Sequence, residues 1–173
     1  MVNMQYANIA SADFTNANLT DANFRDAGVE NTDFISADIS GTDFRGARFN
    51  DVNLENVYMN EYTTGITMSC PEKGSFIGYK KAQDKIVMLE ITEDAKRSSA
   101  TSLKCRCSKA KVLAIEEFNG EISNLTYISS DYNKDFIYEV GKTVEVPDFD
   151  ENRWNECSTG IHFFIDRNLA VLY

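Results

Sequence analysis

A period of five residues runs through the first third of the chain and limits what that part can fold into. From residue 2 to residue 61 the frame holds for twelve units, and the central residue of every unit is apolar. The centres are Met4, Ile9, Phe14, Leu19, Phe24, Val29, Phe34, Ile39, Phe44, Phe49, Leu54 and Met59. The residue two places before each centre is small or β-branched, and Asn or Asp usually separates the two.

This period predicts a chain that turns a corner after every unit. It matches neither the about 3.6 residues of a helical turn nor the alternation of a β-strand. Four corners close a coil of twenty residues, in which residues twenty apart stack. The predicted columns are Met4/Phe24/Phe44, Ile9/Val29/Phe49, Phe14/Phe34/Leu54 and Leu19/Ile39/Met59. Three coils result, with a height of about 14 Å at the ~4.8 Å spacing of paired strands.

The pattern A(D/N)(L/F)xx resembles the pentapeptide-repeat family, whose fold is a right-handed quadrilateral β-helix. The resemblance covers residues 2–61. Some members present an acidic surface similar to duplex DNA and occupy topoisomerases, which implies an interaction surface here at Asp13, Asp33, Asp38 and Asp43. Three coils span only ~4 base pairs of duplex, so the alternative is a solubilising, spacing or binding scaffold.

The first coil is predicted to have an open end. Its backbone groups would be unpaired there, and Met4 and Ile9 would lie at the end of the core. Such edges favour pairing with another copy, which predicts a homodimer through the N-terminal end of the coil. The alternative is that residues 1–6 fray.

Composition and charge exclude several functional classes. The chain has 173 residues, of which 43% are apolar and 25% are charged, as in globular proteins. Its net charge is −10, which argues against direct nucleic-acid binding. The sequence contains no run of about 18 apolar residues, so no membrane-spanning segment is predicted. Four Cys without a secretory signal predict free thiols in a reducing, cytoplasmic compartment.

The chain changes character after residue 61. Residues 63–74 contain two Gly and a Pro, and a linker is predicted over residues 62–72. Residues 73–173 are predicted to form an α+β domain of short antiparallel strands, so the whole chain is expected to be mainly β. The predicted strands are 75–81, 85–92, 102–107, 111–118, 121–129, 135–140, 143–146 and 160–165.

The segments between these strands are predicted as follows. Residues 93–100 are expected to be a turn or one helical turn, and residues 147–156 an acidic loop or short helix. Asn119-Gly120 is a hairpin signal. Asp166 is predicted to cap a helix over 167–173.

The second half resembles a domain of unknown function that accompanies pentapeptide repeats in bacteriophage and gut-bacterial proteins. The resemblance is carried by GYKK, EDAKRSSATSLKCR, YEVGKTVEV and RWNECSTGIHFF and covers about residues 70–173. It implies a bacterial or phage-encoded protein and supplies no mechanism. A phage protein of this kind is expected to block a host enzyme or defence system.

Four cysteines and the only histidine are the candidates for metal or nucleophilic chemistry. Thiolate and imidazole suit tetrahedral zinc, but a single residue separates Cys105 from Cys107, fewer than in zinc knuckles. In a strand these two side chains share one face, which favours core residues, as Cys70 also is on this interpretation. We therefore predict no metal, no cofactor and no disulfide. Cys157 and His162 are candidates for a nucleophile and its base; the alternative is a structural histidine.

The segment GIHFFIDRNLAVLY is also similar to a part of ADP-ribosyltransferases of the poly-ADP-ribose polymerase type. That resemblance implies a pocket around Tyr79, Arg97, Cys157 and His162. Ile77 stands where the family has a His or Arg, and no late strand with the catalytic Glu is found. The resemblance therefore implies a degenerate nucleotide-binding relative.

Six basic residues between positions 96 and 111 form the only basic cluster. Lys104 and Arg106 are predicted to contact an acidic partner; the alternative is a solvated strand face. The sequence favours a non-enzymatic module, in which a β-helix carries a domain that binds a protein partner or small ligand. The alternative is an enzyme or ligand-binding relative of the transferases. A pocket with converging polar groups would favour the enzyme or ligand-binding relative, and a flat surface would favour the non-enzymatic module.

Overall fold

The computed structural model describes all 173 residues, which fall into two units. One unit comprises Met1–Ser69 with Ala100–Ser102, and the other comprises Cys70–Ser99 with Leu103–Tyr173. Ala100–Ser102 joins the first unit through hydrogen bonds, because the Thr101 hydroxyl donates to Ala47 O (2.7 Å) and the Ser69 hydroxyl to Ser102 O (2.9 Å).

The repeat folds into a β-helix with twenty residues per coil. Parallel bridges join residues twenty apart at four places in each coil, and three coils are stacked in this way. The first level of bridges is Asn3–Asn23, Asn8–Gly28, Asp13–Asp33 and Asn18–Asp38. The predicted stacking of residues twenty apart is therefore observed.

Each corner is built by two residues of the repeat. The residue two places after each centre from Met4 to Leu54 has a left-handed backbone, with φ between 51° and 62° for the non-glycine residues from Tyr6 to Asn56. Before the centre, an Asn or Asp side chain accepts a hydrogen bond from the N–H two residues later, as Asp13 does from Thr15 (2.9 Å). These Asx turns hold the corner closed. They explain the Asn and Asp of the repeat without reference to a partner.

Aromatic rings fill the interior of the coil. Phe24, Phe34 and Phe44 are fully buried. Phe34 stacks on Phe14 with centroids 5.3 Å apart, and Phe24 stacks on Phe44 at 5.1 Å. Phe34 also meets Phe24 and Phe44 edge-on. Such pairs contribute about 0.5–1.5 kcal/mol beyond their burial.

Buried threonines satisfy carbonyl groups inside the coil. The hydroxyl of Thr42 donates to Leu19 O (2.8 Å), and that of Thr63 to Ile39 O (3.0 Å). Thr64 then pairs with Asp43, twenty-one residues away instead of twenty. The coil thus continues past residue 61 after one inserted residue, which the five-residue frame did not predict.

The second unit consists of antiparallel sheets. Its elements are β1 Phe76–Ala82, β2 Lys85–Ile91, β3 Arg97–Ser99, β4 Cys105–Cys107, β5 Lys109–Glu116, β6 Tyr127–Ser129, β7 Ile137–Glu139, β8 Thr143–Glu145, β9 Ile161–Phe163 and α1 Arg167–Leu172. One sheet has the order β1-β2-β5-β8, a second has β3-β4-β9, and β6 pairs with β7. Helix α1 is far too short to cross a bilayer, and no other helix exists.

The structure corrects the description of this unit as α+β, because six residues of α1 are its only helix. Residues 97–99, predicted within a turn, form β3 because they pair with β4. The predicted strand 121–129 is reduced to β6 and one bridge between Glu116 and Ile122. The predicted cap is confirmed, since the Asp166 carboxylate accepts from Asn168 N (2.7 Å).

Strands β1 and β9 bring the two larger sheets together. Tyr79 N donates to Phe164 O (2.7 Å), and Phe164 N donates to Tyr79 O (2.8 Å). One residue earlier, the Phe163 ring covers Gly78, where a β-carbon would lie 2.5 Å from Phe163 Cδ2. Glycine is therefore required at this crossing for steric reasons.

The aromatic core yields a stability prediction. Phe34→Ala is expected to lower the free energy of unfolding by about 3–5 kcal/mol, as for other buried aromatic truncations. Urea denaturation followed by circular dichroism measures the change. Tyr62→Ala removes a ring that is 70% exposed and serves as the control. A loss under about 1 kcal/mol for Phe34→Ala would contradict the assigned core.

The crossing at Gly78 yields a second prediction. Gly78→Ala is expected to destabilise the chain by about 1–3 kcal/mol, as overpacking does. Adding Phe163→Leu should recover part of this loss by removing ring atoms. Gly28→Ala is the control, because its new β-carbon meets the movable ends of Glu30 and Arg48. Thermal melts of the three variants and the unmodified chain test the idea; equal melting temperatures for both single alanine variants would refute it.

Candidate ligand-binding site

A cleft of about 660 Å³ opens within the second unit. Lys80 on β1, Lys104 just before β4 and His162 on β9 line it, together with residues from the segments 130–138, 145–148 and 157–160. Small-molecule sites usually have about 300–1,000 Å³. The cleft is therefore large enough for a metabolite.

Lys80 is a half-buried lysine of the cleft. Burial lowers the pKa of its ammonium group because the charged form loses hydration, and the nearby charge of Lys104 acts in the same direction. The charge of Asp131 opposes this shift. The positive charge of Lys80 is therefore disfavoured in the empty cleft.

Lys104 is only 9% exposed, and its Nζ donates to Cys157 Sγ at 3.4 Å. Its ammonium also lies 5.8 Å from the centroid of the Tyr173 ring. Burial opposes its charge, but the hydrogen bond to Cys157 outweighs burial and, with Glu156 acting in the same direction, raises the pKa of Lys104. Lys104 therefore keeps its positive charge in the lining of the cleft.

His162 completes the polar lining and is held in one tautomer. Its Nε2 lies 2.9 Å from the carbonyl oxygen of Ser158, which only accepts, so Nε2 carries the proton in the neutral ring. Burial lowers the pKa of His162; the hydrogen bond to Ser158 opposes this, and the charges of Lys104, Lys80 and Arg106 reinforce it. His162 is therefore neutral at pH 7 and lies within the field of three cations.

Arg106 anchors the loop that forms one wall of the cleft. Its Nη1 donates to Thr159 O (2.7 Å) and Asp150 O (3.1 Å), and its Nη2 donates to Asn152 O (2.9 Å). The guanidinium also lies against the Phe149 ring, 5.3 Å from its centroid. Arg106 and Lys104 were predicted to be surface contacts for a partner. The structure corrects this, because both side chains are buried.

The positive and negative side chains of the cleft differ in their exposure to solvent. Its two lysines are buried or half-buried, whereas Glu145 and Asp148 are exposed on the rim. Phe136, Val146 and Ile161 supply apolar lining. An acidic chain thus encloses a positive interior.

The four residues predicted to share a pocket separate into two pairs. Cys157 and His162 line the cleft, but Tyr79 and Arg97 do not. Arg97 donates to the carbonyls of Gly74 (2.7 Å), Thr92 (2.8 Å) and Glu93 (2.9 Å) and so holds a loop. The lysines of the cleft were missed by sequence reasoning, which treated Lys104 as a surface residue.

The predicted acidic surface is partly occupied by turns and ion pairs. Asp13 and Asp38 accept from backbone N–H groups of Thr15 and Ser40, and these hydrogen bonds lower the pKa of both carboxyls. The guanidinium of Arg45 binds Asp43 at 2.6 Å and lowers the pKa of that carboxyl to about 2.

Asp33, the fourth acid of this surface, is half-buried. Its backbone forms parallel β-bridges with Asp13 and Asn53. At least Asp13, Asp38 and Asp43 therefore have structural roles in the coil. Whether this acidic surface also contacts a partner stays a prediction.

Three of the four cysteines are buried and one is exposed. Cys70, Cys105 and Cys107 are buried, and burial raises the pKa of the Cys107 thiol to about 12. A hydrogen bond with Cys70 and burial also raise the pKa of Cys105. No group of three or more His, Cys, Asp or Glu side chains comes together in the structure.

Comparison with known proteins agrees with the two units. The first is a pentapeptide-repeat β-helix, since residues 14–57 match the model of pentapeptide repeats (nine copies). Residues 66–170 match the model of a family of unknown function, DUF5758, and the chain belongs to this family. The resemblances to pentapeptide repeats and to a domain of unknown function are thus confirmed. No curated protein matches the chain.

One solved structure is similar to part of the chain. It is a pentapeptide repeat protein (Rfr23) from the cyanobacterium Cyanothece 51142, with 21% identity over 35% of this chain and a TM-score of 0.35. The match spans 42% of that structure, less than half of its length.

The cysteine environments yield a prediction on reactivity. We expect the Cys157 thiol to react rapidly with a chromogenic disulfide reagent in the native protein, since it alone is exposed. All four thiols should react in denaturant without reductant. Cys157→Ser should abolish the fast phase and leave three slow thiols. Fewer than four thiols in denaturant would contradict the prediction of no disulfide.

Proposed function

We propose that the C-terminal domain is a non-enzymatic binding module for a small anionic ligand, which it takes in the cleft. The observation that carries the proposal is the convergence of Lys80 and Lys104 in a partly desolvated cleft. We further propose that the repeat is a right-handed quadrilateral scaffold through which the module docks on a protein partner.

Electrostatics favour an anion over a neutral or cationic ligand. A unit charge about 4 Å from an ammonium gains about 4 kcal/mol at an effective dielectric constant of about 20. The charged form of Lys80 is disfavoured when the cleft is empty, so an anion would reverse that penalty. Phosphate and carboxylate groups share this chemistry.

Neutral polar groups around the lysines supply hydrogen bonds and selectivity. Ser130, Tyr138 and Thr159 line the same cleft. The Thr159 hydroxyl donates to Asp148 O (2.5 Å), which fixes the wall next to the rim. The apolar lining of the cleft suits an organic ligand that carries an anionic group.

Titration calorimetry with inorganic phosphate, pyrophosphate and citrate tests the proposal. At least one of these anions should bind, and the affinity should fall as salt is added. Lys104→Met should weaken binding by about 10–100-fold, because a hydrogen bond to a charged group is worth about 1.5–3 kcal/mol.

Lys73→Met is the matched control, because Lys73 is exposed and does not line the cleft. It should bind the anions as the unmodified chain does. Circular dichroism confirms that both variants are folded. Absence of binding by every anion, or equal affinities for Lys104→Met and the unmodified chain, would refute the proposal.

A further inference from the structure

We propose that Lys80, Ser130 and Tyr138 form an oxyanion subsite in the cleft, and that the ligand it receives is a phosphate monoester. The inference rests on the proposed function, because it names the atoms that hold the anion and the class of ligand that carries it. Lys104 keeps its present contacts and acts only as a second positive charge in the lining.

Two hydroxyl groups of the lining are buried and have no hydrogen-bond partner in the protein. Tyr138 is 2% exposed and Ser130 is 8% exposed, and neither side-chain oxygen is hydrogen-bonded to another group of the chain. The unsatisfied side-chain atoms that are sealed from solvent are Ser98 Oγ and Arg153 Nη2, so the hydroxyls of Tyr138 and Ser130 open onto the cleft that they line. Buried polar groups normally have a partner, and a ligand that accepts hydrogen bonds would supply one.

Strand β1 directs Lys80 toward the same interior. Because side chains alternate along a strand, Lys80 shares a face with Gly78, which the Phe163 ring covers, and with Ala82, which is fully buried. Lys80 Nζ forms no hydrogen bond and no ion pair within the protein. The cleft therefore contains an ammonium group and two hydroxyl groups that all lack a partner.

Hydrogen bonds hold the segments that carry these three groups next to one another. Gln83, three residues after Lys80, donates through its backbone N–H to both carboxylate oxygens of Asp131 (3.0 Å each), which places the end of β1 beside Ser130. Strand β6 ends just before Ser130 and pairs with β7, on which Tyr138 lies. Besides burial, the charge of Asp131 acts on the ionisation of both Lys80 and Tyr138, because both side chains are near it. Asp131 itself does not line the cleft.

This set of donors favours a phosphate monoester over a carboxylate. A phosphate monoester has three terminal oxygens and a charge of about −1.5 to −2 at neutral pH, whereas a carboxylate has two oxygens and a single charge. Lys80, Ser130 and Tyr138 can each donate to one oxygen. The nearby charge of Lys104 would offset the second negative charge. A bound phosphate would also favour the charged form of Lys80, which burial disfavours.

Phenyl phosphate is the probe, and benzoate is its carboxylate counterpart. In titration calorimetry of the folded chain at neutral pH, phenyl phosphate should bind about tenfold more tightly than benzoate, because it gains one further hydrogen bond to a charged group. Tyr138→Phe and Ser130→Ala each remove one donor and should weaken the binding of phenyl phosphate about tenfold for the same reason. Lys80→Met should weaken it by about 10–100-fold, since a charged donor is lost.

Thermal melts separate a binding role from a structural one. Because neither hydroxyl has a partner in the protein, Tyr138→Phe and Ser130→Ala should melt without anion at the temperature of the unmodified chain or above it. Phenyl phosphate should raise the melting temperature of the unmodified chain more than that of either variant. Tyr127→Phe is the matched control, because Tyr127 is 63% exposed on β6 and does not line the cleft. It should bind phenyl phosphate as the unmodified chain does.

The failures of the two proposals are distinguishable. If phenyl phosphate binds and Tyr138→Phe and Ser130→Ala bind it equally well, the subsite is wrong and the binding module stands. If neither probe nor inorganic phosphate, pyrophosphate or citrate binds, both proposals fall. Benzoate that binds as tightly as phenyl phosphate would overturn the assignment of the ligand class. Melting temperatures that fall in both hydroxyl variants without anion would show that these groups have structural partners, and would overturn the subsite.

Discussion

The cleft depends on the hydrogen bonds that the buried guanidinium of Arg106 donates. A buried cation without partners costs several kcal/mol, and burial does lower the pKa of Arg106. Carbonyls of Asp150, Asn152 and Thr159 offset that cost and tie residues 150–159 to β4. The same loop brings Cys157 to Lys104 and the carbonyl of Ser158 to His162. The wall of the cleft and the positions of its polar groups therefore follow from one arginine.

The repeat unit depends on a short pattern that recurs every five residues, and not on a single residue. Every five residues a left-handed residue and, at most corners, an Asx turn reproduce the same corner. The inward aromatic rings then stack because their backbones are already in register. Such a unit is stiff along its length and has few internal degrees of freedom. That property suits a scaffold more than a site that must close on a ligand.

The sequence predicts the structural features that depend on residues close together in the chain. The five-residue frame predicts the stacking, and β1, β2 and β5, with seven or eight residues each, are long enough to be predicted from their own segments. It does not predict β3, whose three residues become a strand only by pairing with β4. The acids of the repeat were predicted to be an interaction surface because their charge was visible and their turn hydrogen bonds were not.

The cleft could not be predicted for a related reason. Lys80 on β1 and Lys104, just before β4, are twenty-four positions apart, and the sheets that contain β1 and β4 meet through a bridge between Tyr79 and Phe164. Nothing near either lysine distinguishes it from a solvated strand residue. Only Cys157 and His162 were identified, because rare residue types stand out in a sequence.

The whole chain is acidic, whereas lysines line the cleft. This contrast limits which ligands the cleft would bind. The chain carries −10 overall, and that charge repels a polyanion such as nucleic acid over its whole length. Salt screens this repulsion beyond about 8 Å at physiological ionic strength, so a small anion that enters the cleft experiences mainly the lysines. The exposed carboxylates of Glu145 and Asp148 on the rim add to the exclusion of extended polyanions. A compact ligand with one anionic end is therefore the chemistry that we propose for this cleft.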